Sequence, residues 1–169
     1  MTYFGFFDGM GYDGSEDFNE YKNNKNELSK SIILAYLKEL PIAAIAPMWT
    51  YDMFTREKLG TGGLIEDGDF CFPVDFIHYF GKYDIGIPIE YEKHIIIELR
   101  NRIRKKLKKI DEKSKGSIAT NYVDYLCREN DNIDQKIIDE YMKLTDSELE
   151  FILEDALSNG TKYRTYDLS

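Results

Sequence analysis

The apolar residues of this chain change rhythm along its length. Residues 2–7, TYFGFF, are a short aromatic run of the kind that forms a strand. Residues 8–25 are glycine-rich, then polar and acidic, and predict a loop or a frayed helix. A helical stripe follows: Ile32, Ile33, Tyr36, Leu37 and Leu40 share one face of a helix. Asn26 is its predicted N-cap, because its amide can satisfy a first-turn N–H. Pro41 is its predicted stop.

Residues 42–54, IAAIAPMWTYDMF, are apolar and contain Pro47. Proline lacks the N–H that an inner strand must donate, so this segment predicts an edge strand or a break. Residues 60–63, GTGG, predict a flexible turn, and Asp67-Gly68 a tight one. Pro73 suits the start of a short helix, VDFIHYFGKY, with Gly81 or Gly86 at its end. Pro88 opens a long helix with the stripe Ile96, Leu99, Ile103, Leu107 and Ile110. Residues 111–117, DEKSKGS, read as a linker. Three helical patterns come after it, at 118–128, 133–143 and 146–158. The last begins with Thr145-Asp146-Ser147-Glu148, a capping box, and carries the stripe Leu149, Ile152, Leu153, Ala156 and Leu157. Asn159-Gly160 closes it.

These elements predict an α+β fold, with a small antiparallel sheet in the N-terminal half and a mostly helical C-terminal half. The chain reads as a single domain, 1–169. It divides into an α+β core with a basic helix, 1–115, and an acidic helical segment, 116–169.

Composition adds three points. Hydrophobic residues make up 43% of 169, enough to bury a core without staples. Aromatics reach 14%, with thirteen Tyr and ten Phe. Trp49, Tyr51, Phe54, Phe70 and Phe72 are expected to form one aromatic cluster between the sheet and its helices. Cys71 and Cys127 are too few for a disulfide framework and read as free thiols. No apolar run approaches the ~20 residues of a bilayer span. The N-terminal segment has Asp8 where a signal peptide carries bases. A cytoplasmic protein without a membrane partner is expected. Abundant Ile, Lys and Asn fit a bacterium, phage or mobile element with an AT-rich genome.

Charge is the strongest functional signal. Residues 93–115 hold ten Lys or Arg against three acids, in a chain of net −9. Arg100, Arg102, Arg104, Lys105, Lys106, Lys108 and Lys109 form the candidate partner-binding face. Clustered cations of this kind bind phosphate backbones or acidic protein surfaces. Residues 116–169 carry twelve acids and five bases, so they are also suited to neutralise the helix internally.

Other motifs are weaker. Gly9-Met10-Gly11-Tyr12-Asp13-Gly14 matches the dinucleotide pattern G-x-G-x-x-G, but no apolar helix follows and Asp8, Asp13, Glu16 and Asp17 would repel phosphate. It reads as a plain glycine loop. A second acidic group is Glu66, Asp67 and Asp69, with Asp75, Asp84 and His78 nearby in sequence. Joined in space, the two groups could hold metal for a nuclease. His78 reads as a packed or rim residue and His94 as a surface one. A Cys71–His78 nucleophile pair would arise only by accident of fold.

No catalytic set is assembled and no cofactor or metal is called for. The expected function is a non-enzymatic acidic interaction module that binds and modulates, by inhibition, a nucleic-acid-handling protein. Anti-CRISPR and anti-restriction proteins have this character, an analogy of composition alone. The alternatives are an RNA- or DNA-binding protein using residues 93–115, and a metal-dependent nuclease using the acidic clusters.

Overall fold

Strands β1 (Thr2–Tyr3), β2 (Ile42–Tyr51), β3 (Lys58–Asp67) and β4 (Phe70–Pro73) form one sheet in the computed structural model, in the order β1-β4-β3-β2. The helices are α1 (Phe18–Tyr21), α2 (Lys30–Glu39), α3 (Phe76–Lys82), α4 (Ile89–Leu107) and α5 (Asp146–Ser158). The structure describes residues 1–14, 16–107 and 144–158, with side chains at all of these but 104–107, 153 and 155–158. The linker at 111–117 and the helical patterns at 118–128 and 133–143 lie outside the described residues. Two compact units are present, Met1–His94 and Ile95–Ser169.

The fold is α+β, with the sheet in the N-terminal half. Pairing is antiparallel from β2 to β4, as expected, whereas β1 joins β4 in parallel through Thr2 and Tyr3. The run TYFGFF gives only two strand residues because Gly5 turns out of the extended region at φ +73°. A Cβ on Gly5 would strike the ring of Phe76, so the sharp turn and the close approach both require glycine here.

Pro47 lies where its missing N–H predicts, on the edge strand β2. The residues GTGG are not a turn but part of β3. At Gly62 and Gly63 the neighbours come too close for side chains, so glycine stands inside the strand there. A Cβ on Gly63 would meet the Ala44 carbonyl oxygen at 2.7 Å, and one on Gly62 would meet Tyr12, Met48 and Thr50 at 3.1–3.2 Å. Gly68, at φ +60°, makes the tight turn from β3 to β4.

Helix α2 starts three residues later than Asn26 predicts, with Ser29 as its N-cap. The Asn26 amide is used over a longer range. Its Oδ1 accepts from Ile87 N at 2.9 Å, and its Nδ2 donates to Ile87 O and to Glu92 Oε2. Glu92 is buried and also accepts from Leu28 N at 2.8 Å. The first turn of α4 therefore fastens the chain ahead of α2. Ile32, Ile33, Tyr36 and Leu37 are buried as the stripe predicts, and α2 ends at Glu39, ahead of Pro41. Helix α4 begins directly after Pro88, whose carbonyl accepts from Tyr91 and Glu92 N. Its buried positions are Tyr91, Ile95, Leu99 and Ile103, with Ile96 only half-buried. In α5, Thr145 N donates to Glu148 Oε2 at 2.8 Å, which is one arm of the predicted capping box.

The core of the first unit is aromatic, but with a different membership from the one expected. Phe4 packs on Phe72 at 4.9 Å, Phe76 at 5.2 Å and Tyr91 at 4.8 Å between ring centroids. Phe7 meets Phe18, Tyr21, Phe76 and Tyr79. These edge-on and tilted contacts suit the ring quadrupole. Trp49 and Tyr51 take no part; they are 59% and 47% exposed.

Candidate interaction surface

Strand β2 presents an uncharged apolar edge to solvent. Ile42, Ile45, Trp49 and Tyr51 are all exposed, Ile45 at 72%. From Ile45 to Tyr51 the side chains alternate: Ile45, Pro47, Trp49 and Tyr51 are exposed, Ala46 and Met48 are half-buried, and Thr50 is buried. From Leu40 to Tyr51 there is no charged residue, in a chain that is 31% charged. Among the described residues no strand pairs with the outer side of β2. Long exposed apolar edges invite association, and proteins blunt them with proline and bulges. Both devices are present. The register against β3 shifts between Ile42 and Ala44, between Ile45 and Trp49, and between Thr50 and Tyr51. The side chains are left open while the backbone ladder is interrupted. Beside them, Lys58 Nζ lies 3.3 Å from the centre of the Trp49 ring, a cation–π contact that holds the ring in place.

The turn that follows β2 is fixed by Asp52. This carboxylate is fully buried. Its Oδ1 accepts from Phe54 N at 2.8 Å and Thr55 N at 3.0 Å, which shapes the turn. Its Oδ2 accepts from Tyr83 OH at 2.7 Å, His78 Nε2 at 2.8 Å and Lys82 Nζ at 3.1 Å. Lys82 also reaches Glu57 at 3.1 Å. Burial pushes the Asp52 carboxyl up, but the bonds from His78, Tyr83, Thr55 and Phe54 outweigh it and hold the group well below the usual carboxylate range. Bonds to Asp52 and Glu57 raise Lys82 above an ordinary lysine. Burial pushes Tyr79 up to about 12, and its hydroxyl accepts from Met53 N at 2.8 Å. Arg56 sits at φ +62° in this turn, a conformation that side chains rarely adopt. Asp, His, Lys and Tyr together look like a catalytic set. Here His78, Lys82 and Tyr83 all donate to one carboxylate oxygen while the other takes two backbone N–H groups, and the result is a rigid anchor for the turn.

Asp75 is a second buried carboxylate. It accepts from Thr50 Oγ1 at 3.0 Å and Tyr12 OH at 3.4 Å. Burial raises its pKa against those hydrogen bonds. Because the folded value is raised, ionising Asp75 as pH climbs above the ordinary carboxylate range costs stability. Asp75→Asn should therefore melt at or above the parent temperature at neutral pH, and lose that advantage in acid. Thermal melts at the two pH values check this.

Three of the acids proposed as metal ligands are engaged in hydrogen bonds. Glu16 accepts from Phe6 N at 2.7 Å and Tyr21 OH at 3.0 Å. Asp17 caps α1 through Asn19 N. Asp67 Oδ2 accepts from Tyr36 and Tyr91 hydroxyls at 2.9 and 3.0 Å. Asp8, Asp13, Glu66, Asp69 and Asp84 are exposed. Among the described residues no group of three or more His, Cys, Asp or Glu side chains could hold a metal ion. The glycine motif at 9–14 is a loop in which Gly9 and Gly11 take φ +90° and +87°.

His78 is the packed rim residue expected, bound to Asp52. His94 is not a surface residue. It stacks on Tyr91 with rings 16° apart and touches Phe70. Its Nε2 lies 3.2 Å from Asp67 Oδ1, near enough for an ion pair but misaligned for a hydrogen bond. Cys71 is buried in β4, and burial, then Glu66, raises its thiol pKa, the reverse of an activated nucleophile.

Of the predicted partner-binding cations, Arg100 is exposed on α4 and Arg102 is half-buried. The helix carries the backbone of Arg104, Lys105 and Lys106, whose side chains lie outside the description. Lys108 and Lys109 lie beyond the described residues. No described helix is long and apolar enough to cross a membrane. No family model matches this chain, and no curated protein or solved structure is significantly similar to it.

The sequence signal for the β2 surface was the uncharged run around Pro47. The signal for the Asp52 anchor was the four-residue spacing of His78 and Lys82, which puts both on one face of α3.

Proposed function

We propose that this chain acts by binding and is a non-enzymatic interaction module. Its protein-docking surface is the outer side of β2, with the Asp52-anchored turn beside it. The observation that carries this reading is the exposed, charge-free strand with Ile45, Trp49 and Tyr51 outward. Aromatic anchors on a rigid element are what protein interfaces use, because little side-chain entropy is lost on docking. The charge of residues 93–115 supports a nucleic-acid-handling protein as the thing modulated, and analogy of composition supports inhibition. The compartment suited to this work is the cytoplasm.

The test is the double variant Ile45→Asp with Trp49→Ala. Both positions are exposed, so each change should alter stability by under ~1 kcal/mol. Protein association by the chain should fall at least about tenfold, the loss typical of interface anchors. Parent-like association, measured by affinity capture from nuclease-treated and untreated host extract, would refute the reading. So would a collapse of the melting temperature, which would make β2 part of the chain's own core.

A further inference from the structure

We propose that the occupant of β2 is a second copy of this chain, bound about a two-fold axis with the two β2 strands antiparallel. The inference rests on the reading of β2 as a protein-docking surface and names its partner.

Charge carries the argument. A molecule of net −9 repels its own copy, and residues 1–94 alone hold sixteen acids against eight bases. Self-association is favourable only through a surface that brings no like charges together. The stretch from Leu40 to Tyr51 is such a surface, and its side chains at Ile42, Ile45, Trp49 and Tyr51 are already exposed.

The two ends of the strand differ in sign. At the Tyr51 end stand Arg56 and Lys58, and Lys58 is the cross-strand partner of Tyr51. Glu57 is also there, but Lys82 pairs with it. At the Ile42 end stand Lys38, Glu39 and the exposed Glu66. Glu66 follows Ile65, the cross-strand partner of Ile42. An antiparallel two-fold arrangement sets the basic end of each copy beside the acidic end of the other. An isologous interface satisfies both ends at once, because each contact occurs twice. A strand of ten residues gives about 33 Å of contact along each copy.

The interrupted ladder decides between a dimer and a fibre. Pro47 and the three register shifts deny the edge a continuous run of backbone hydrogen bonds. Side chains must then make the contact, and that favours a closed pair over open strand addition. A nucleic acid is a poorer occupant. Two cations beside uncharged strand residues give few phosphate contacts, and Lys58 already covers one face of the Trp49 ring.

Trp49 is the only tryptophan in the chain, so its emission reports on this surface directly. The experiment follows the full chain from low to high micromolar concentration by sedimentation velocity and Trp emission. The expected result is a mass that rises from one chain to two, with emission moving to the blue over the same range. Ile45→Asp should weaken the association at least about tenfold, and Ile45→Ser should do the same if the Asp variant folds poorly. Arg56→Glu should weaken it too. Adding Glu66→Lys to that variant should restore it, because the Arg56–Glu66 attraction is then reversed in sign on both sides rather than lost. A single-chain mass throughout overturns the inference. If β2 substitutions still abolish capture of another protein in that case, the docking reading stands with a different partner. If capture is unaffected as well, both fail. A dimer that survives Ile45→Asp and leaves Trp49 emission unchanged lies elsewhere on the chain, and also overturns the inference.

Discussion

Asp52→Ala is expected to lower stability by about 3 kcal/mol, the loss that follows when a buried charge leaves its partners uncompensated. Five donors meet on this carboxylate: two backbone N–H groups, a hydroxyl, an imidazole and an ammonium. Removing it strands the N–H groups of Phe54 and Thr55, takes the carboxylate from His78 and leaves Lys82 with Glu57 alone. The Lys82 and His78 side chains are 36% and 26% exposed, so water will recover part of the loss. For a chain of this size each kcal/mol moves the melting temperature by about 2–4 °C, and the expected fall is about 6–12 °C. The pH response carries the same information. A carboxyl held low in the fold stabilises it above the ordinary Asp value of about 3.9 and loses that contribution as pH falls toward the folded value. The parent should lose stability below about pH 4 more steeply than Asp52→Ala does. Equal slopes and equal melting temperatures would show that the anchor contributes nothing.

That anchor explains what a sequence can and cannot disclose in this protein. Local grammar was legible. Pro47 announced an edge, Asp67-Gly68 a tight turn, Pro88 the start of α4 and Thr145–Glu148 a cap, because each depends on a φ angle or an N–H within a few residues. Whatever depends on distant partners was not. Asn26 has the side chain of an N-cap but spends it on Ile87, sixty-one residues away. The glycines of GTGG read as a turn until the Ala44 carbonyl and Tyr12 close in on them. Asp52 sits twenty-six residues from His78 and thirty-one from Tyr83, and nothing local joins them. The β2 surface escaped for another reason. Exposed and buried apolar residues look alike in a sequence, and only the structure shows that Ile45, Trp49 and Tyr51 of this strand face solvent.

The aromatic residues put that distinction to a sharp test. Phe76→Ala is expected to cost about 3–5 kcal/mol, the range for truncating a buried aromatic. Its ring is fully buried and meets Phe4, Phe7, Tyr21, Phe72 and Phe80. It also closes over Gly5, whose φ of +73° was set to admit it. Six neighbours from separate parts of the chain cannot all collapse into the space left, so a cavity term adds to the lost transfer energy. Trp49→Ala removes a larger side chain from a 59% exposed site and should cost under ~1 kcal/mol, mostly its contact with Lys58. Denaturant melts of the two variants measure both numbers. A Phe76 variant that unfolds with the parent would place the core elsewhere. A Trp49 variant as damaged as Phe76→Ala would return β2 to the interior, and the docking surface and the two-fold pairing would go with it.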